Sequence, residues 1–187
     1  LTACGQSNSA ATLGDNSISQ SELQGAVNTI MKEREGVDVS QMQLETGGAL
    51  NRSQLRFLII TRIFDEIANE LKLGITATEV ATTSAQMITD GGGESALATN
   101  LVSAQIASTN FDKYVRAIII SDKLTSALKA SGVADADISS KISELVVAKT
   151  KQLKIKVNPR YGTWDDASGD ILATDSAGDA VKVPATK

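Results

Sequence analysis

The sequence predicts a mainly α fold of about six helices, with a small two-stranded sheet that pairs the ends of the chain. Three observations point there. Residues 51–74 repeat apolar side chains at the helical period: Leu55, Ile59, Ile63, Ile67 and Leu71 recur every four positions, with Leu58, Phe64 and Ala68 beside them and Ile60 off the stripe. Aromatic residues make up only 3% of a chain that is 42% hydrophobic, so the core has to be built from Leu, Ile, Val and Ala, which suits helix packing. The period changes to two at one place, 153–157, where Leu153, Ile155 and Val157 alternate with Lys154 and Lys156. A length of 187 residues allows one domain with a true core, plus a tail.

From the start, residues 10–14 read as a short strand that leads through a Gly14-Asp15-Asn16 turn to the apolar Ile18. Ser19 and Glu22 have the spacing of a capping box, and Leu23, Ala26, Val27, Ile30 and Met31 share one face, so 20–35 is predicted as an amphipathic helix ended by Gly36. Residues 37–48 read as a loop finishing in Gly47-Gly48. Asn51 with Gln54 is expected to cap the central helix and Gly74 to end it in a left-handed conformation. About 22 residues at 1.5 Å each make a rod of roughly 33 Å. Thr76 and Glu79 repeat the capping-box spacing, opening a helix that runs to about residue 89 and stops at Gly91-Gly92-Gly93.

A weaker helix covers 94–108, with Leu97, Leu101, Val102 and Ile106 on one side. Phe111, Tyr114, Val115, Ile118, Ile119, Leu124 and Leu128 make a second long stripe ending near Gly132, and Asp137 precedes a last helix to about residue 150. A lone strand at 153–157 cannot satisfy its own backbone groups, and 10–14 is the other strand candidate, so the two should meet. Asn158-Pro159 stops that ladder and 161–165 forms a short knot holding Tyr161 and Trp164. Residues 166–187 are expected to be a disordered polar tail.

The chain has no histidine and one cysteine, which removes imidazole acid–base chemistry, His-ligated metals and an intramolecular disulfide. A net charge of −4 with interspersed signs offers no basic block for phosphates, so nucleic acid is not an expected partner. Asp135 with Asp137 and Asp165 with Asp166 sit among small residues, where Asp caps helices or stays solvated. Gly91-Gly92-Gly93 is not followed by the Lys-Ser/Thr of a phosphate loop. No enzyme activity, metal or cofactor is expected. Lys141, Lys149, Lys151, Lys154 and Lys156 read as a solvated face in preference to a contact with anionic headgroups or cell-wall polymer.

Leu1-Thr2-Ala3-Cys4-Gly5 resembles a bacterial lipobox, with a leucine three before the cysteine and a small residue directly before it. Cys4 is therefore the expected lipidation site, with 1–9 as lipobox and flexible tether. The protein is expected outside the cytoplasm, lipid-anchored to the cell membrane.

The order of parts resembles a known family. The strand, glycine turn, Ile18-Ser19 and Ser21-Glu22-Leu23 look like the opening of the N-terminal domain of SurA-like and PrsA-like folding factors. Gly74-Ile75-Thr76-Ala77-Thr78-Glu79-Val80 is similar to that family's passage after the central helix, and Phe111 to Arg116 with Lys123-Leu124 is similar to its later helix. The ending NPRYGTWD looks like that of actinobacterial lipoproteins of this type. The resemblance spans 10–165 and implies the family's helical chaperone domain. These 187 residues contain no histidine and so no counterpart of the family's His-containing parvulin site, and isomerase activity is not expected of them.

A small helical domain leaves grooves in which an unfolded segment can bury apolar side chains, with affinity limited by the entropy of ordering it. The expected function is therefore a lipid-anchored, chaperone-like protein that binds unfolded or extended segments of secreted proteins. An envelope adaptor docking one specific partner is the alternative. Phe57, Met87 and Trp164 are the candidate client contacts, since Met adapts its shape and aromatics bury much area with few rotors, although sealing the end of the two-stranded sheet is the preferred role for Trp164. Met31 and Tyr114 lie on apolar helical faces and are expected in the core. The terminal strands can pair within one chain or be exchanged between two copies, so a homodimer stays open.

Overall fold

The computed structural model describes residues 8–174. Cys4 and most of the expected tether, and the tail from 175 onward, lie outside the described residues. Strands β1 (Ser9–Leu13) and β2 (Asn16–Ser19) lead into helices α1 (Gln20–Arg34), α2 (Gly47–Glu70), α3 (Ala77–Asp90) and α4 (Glu94–Ser103). After one turn of 3-10 helix at Ser108–Asn110 come α5 (Phe111–Ala130) and α6 (Asp135–Leu153), and then three short strands, β3 (Lys156–Val157), β4 (Thr163–Asp165) and β5 (Asp170–Leu172). The fold is mainly α, as the apolar periodicity predicts.

Helix α2 is the axis of the molecule. Its 24 residues extend about 36 Å at the usual rise, and α1, α5, α6, β1 and β5 all pack on it. Leu50, Leu55, Leu58, Ile59, Ile63, Ile67 and Ala68 are buried on it. Each large aliphatic side chain removed from water stabilises the fold by about 1.5–3 kcal/mol.

The ends of α2 differ from expectation. It starts at Gly47, with Thr46 as N-cap, and Asn51 is an interior residue whose Nδ2 donates back to the Gly47 carbonyl at 3.0 Å. At the other end Gly74 is left-handed as expected, at φ 61°, but the helix has already closed at Lys72, which takes a left-handed turn of its own at φ 53°. The Leu73 N–H then bonds the Ala68 carbonyl at 2.9 Å and the Lys72 N–H bonds Asn69 at 3.2 Å, a Schellman closure. Leu71 leaves the stripe there and is 49% exposed. Met31, expected in the core, is 46% exposed on α1 because it lies at the margin of the face set by Leu23, Val27 and Ile30.

The chain ends do meet: Ala11 pairs with Val157 and Thr12 with Lys156, antiparallel. The sheet has a third strand, in the order β2-β1-β3, because Asn16–Ser19 folds back on β1 through the Gly14-Asp15 turn instead of serving only as an apolar pin. The return strand is shorter than the 153–157 alternation. Helix α6 continues to Leu153, Lys154 turns left-handed at φ 49°, and the Leu153 carbonyl accepts from the Gly14 N–H at 2.6 Å.

The expected disorder after residue 165 is wrong for the described part of the tail. Trp164 pairs with Ile171 across β4 and β5, and Ile171 is buried in the core cluster. The Arg56 Nε donates to the Gly169 carbonyl at 2.8 Å, which fastens the hairpin to α2. An isolated Ile171-Leu172 pair in a polar stretch gives no periodic signal, yet one apolar side chain is enough to seat a hairpin. The expected 94–108 helix also ends early, at Ser103, where Gln105 adopts φ 55°.

Candidate functional site

The region between α3 and α5 is the best candidate for a binding site, and charged groups on α5 fix its geometry. Thr76 and Glu79 form a complete capping box at the start of α3, with the Glu79 N–H donating to Thr76 Oγ1 at 3.1 Å. Lys123 of α5 reaches the same corner, donating to the Leu73 and Gly74 carbonyls at 3.3 Å and to Glu79 at 3.0 Å. The hydrogen bond from Lys123 holds the Glu79 carboxyl below its ordinary range. Arg116 donates to Asp65 at 2.5 Å and also contacts the Ile75 carbonyl at 3.5 Å. These two cations pin the α2–α3 connection onto α5. At the far end the Asn100 Nδ2 of α4 donates to the Gly91 carbonyl at 2.8 Å.

Between those ends α3 is held loosely. It buries none of its side chains completely. The face toward α5 carries small residues: Ala77, Val80, Ala81, Ser84, Ala85 and Ile88 line a trough of ≈ 620 Å³, with Glu94, Asp112, Lys113 and Arg116 around it. Ser84 Oγ is buried there and has no hydrogen-bond partner among the described residues, a cost of about 1–3 kcal/mol to the closed packing. Ala77, Ala81 and Ala85 are exposed along the trough, and small side chains make few dispersion contacts, so this face is left largely uncovered.

Two of the charges beside the trough, Lys113 and Arg116, belong to the frame. Lys113 donates to Glu22 at 3.1 Å, and Arg62 of α2 donates to the same carboxylate at 2.9 Å. That explains why Ser19 and Glu22 form half a capping box. The Glu22 N–H bonds Ser19 Oγ at 3.0 Å, but the carboxylate turns away to two cations, a stronger attraction than the Ser19 N–H offers.

The candidate contacts named from the sequence lie elsewhere. Phe57 and Trp164 are half-buried against the core, and Trp164 Nε1 donates to Asp166 at 3.0 Å. Met87 is half-buried on α3 but outside the trough wall. None of the three lines the trough, and Cys4 lies outside the described residues. The trough residues were missed because three alanines and a serine beside Val80 and Ile88 look like a weak helix face. The predominance of small side chains on that face was the available signal.

The lysine cluster also separates. Lys149 is buried, 8% exposed, and pairs with Glu70 while donating to Gln152 at 2.7 Å; Lys141 pairs with Glu144 at 2.7 Å. Lys149 is thus no part of a solvated face. Among the described residues no group of His, Cys, Asp and Glu is placed to hold a metal ion, and no helix is long and apolar enough to cross a membrane. Comparison of the chain with known protein families, with curated proteins and with solved structures gives no match.

Proposed function

We propose that this is a chaperone-like protein, tethered to the membrane outside the cytoplasm through lipid on Cys4, that binds extended apolar segments of secreted polypeptides in the α3–α5 trough. The resemblance of the motif order to SurA-like and PrsA-like N-terminal domains supports the reading, and the trough is the observation that carries it. A helix that buries no side chain fully, and whose own Ser84 hydroxyl is buried without a partner among the described residues, is a packing that a bound segment can improve. Apolar side chains of the segment cover Val80, Ala81 and Ile88, while its polar backbone faces the charged rim. Binding of this kind is weak and exchangeable, because ordering the segment offsets much of the burial.

The test is suppression of aggregation. The full chain carrying Cys4→Ser should slow light scattering by several unrelated unfolded proteins. Ala81→Asp, which puts a charge into the trough at an exposed helical position, should remove that effect while leaving the melting temperature within a few degrees. Failure on every client, together with capture of one envelope protein, would favour the adaptor alternative.

A further inference from the structure

We propose a second binding site, for an acidic saccharide, in the cleft between the starts of α1 and α2 and the 158–162 turn. The cleft has a volume of ≈ 700 Å³ and shares no wall residue with the α3–α5 trough, so the inference stands apart from the proposed chaperone reading. Its chemistry is distinctive. Carboxamides of Gln20, Gln24, Asn28 and Asn51 line it together with the guanidinium groups of Arg52 and Arg160, and no carboxylate does. In a chain with 22 acidic and 18 basic residues, this is a locally positive, amide-rich surface.

That combination matches one class of ligand. A sugar hydroxyl both donates and accepts, and so does a carboxamide, whereas a guanidinium fork fits a carboxylate through two parallel hydrogen bonds. Neutral amides outnumber cations, which suits a sugar ring bearing a single carboxylate better than a polyphosphate.

The site is also preorganised. The Asn158 N–H bonds the Ala10 carbonyl at 2.8 Å and its Nδ2 bonds Ser9 at 3.2 Å, clamping the turn to β1. Arg160 Nη1 donates to Gln20 Oε1 at 2.8 Å and its guanidinium lies 5.7 Å from the centre of the Tyr161 ring, which fixes the fork. Gln24 donates to Asn28 at 2.9 Å. A ligand entering such a set has fewer rotors to freeze.

Gly25 supplies an independent sign. It sits inside α1, where glycine costs helix stability relative to alanine, yet nothing lies within 4 Å of the position its Cβ would occupy. Packing does not require a glycine here. What the missing side chain does is leave that side of the cleft open.

The experiment titrates the full chain carrying Cys4→Ser with trigalacturonate, with maltotriose and with inorganic phosphate, following amide shifts by NMR. Saturable binding of trigalacturonate, with a Kd on the order of 1 mM or tighter, is expected, at least tenfold tighter than either control. Arg52→Gln and Arg160→Gln should each weaken it about tenfold, and Gly25→Glu should abolish it with no loss of melting temperature. No saturable shift with trigalacturonate overturns the proposal. So does equal binding of maltotriose, equal binding of phosphate, or unchanged affinity in the arginine variants.

Discussion

Gly162 is held at φ 126°, and a Cβ there would overlap the Leu172 carbonyl oxygen across the hairpin. Gly162→Ala should therefore cost more than about 2 kcal/mol in urea unfolding, since the backbone is strained and the obstacle is backbone too. Among the described residues, the three non-glycine positions with positive φ divide by what their side chains do. Lys72 and Lys154 only turn the chain, so Lys72→Gly should raise stability by about 0.5–1 kcal/mol. Gln105 carries a junction: its Oε1 accepts from Arg34 at 3.1 Å and the Glu45 N–H at 2.8 Å, and its carbonyl accepts from buried Gln54 at 2.8 Å. Gln105→Gly relieves the same strain but strips the amide from Arg34 and Glu45, so it should destabilise. A net gain in the melting temperature of that variant would show that the junction contributes nothing.

Glu79 and Asp165 respond to pH through their neighbours. The bond from Lys123 lowers the first, and the bond from Ser168 lowers the second. A carboxyl whose folded value is depressed contributes stability that is present above its unfolded value and lost as pH falls through the folded one. Both increments should fade below the ordinary carboxylate range. Glu79→Gln should flatten part of the acid limb of the melting-temperature profile, and an unchanged limb would remove Glu79 from that account.

The helices are unequal in how firmly they are held. Helix α2 buries a full face, and Ile63→Ala on it should cost about 2–5 kcal/mol. Helix α3 is fastened at its two ends and covered by small side chains between them. Hydrogen exchange should find the amides of α3 opening well before those of α2 and α5, in line with local stability following buried apolar contact. Equal protection in α2 and α3 would mean that α3 is held as firmly as the core helix, and the client-binding reading would lose its physical basis.

Taken together, the pieces are closed by contacts between distant parts of the chain. Strand β3 joins β1 from nearly the other end of the sequence, and the β4–β5 hairpin lies against α2 through Ile171, Gly169 and Arg56. Truncation after residue 165 should lower the melting temperature and raise binding of a hydrophobic dye, because the Ile60 side of α2 loses its cover. If the hairpin were ornamental, the truncated chain would melt with the parent.

Much of this was legible residue by residue. The stripe from Leu55 to Ile67, the Thr76–Glu79 capping box and the alternation ending at Val157 fix six helices and the meeting of the chain ends, because each is a local pattern with a period or a spacing of its own. Three-dimensional packing alone decided that Glu22 bonds Arg62 and Lys113, that Lys149 turns inward to Glu70, and that Ile171 seats a hairpin. It also decided that the trough opens beside Ala81 and Ser84, away from Phe57 and Trp164. A side chain's partner across the fold depends on which faces meet and how large their residues are, and neither is written in the neighbours along the chain.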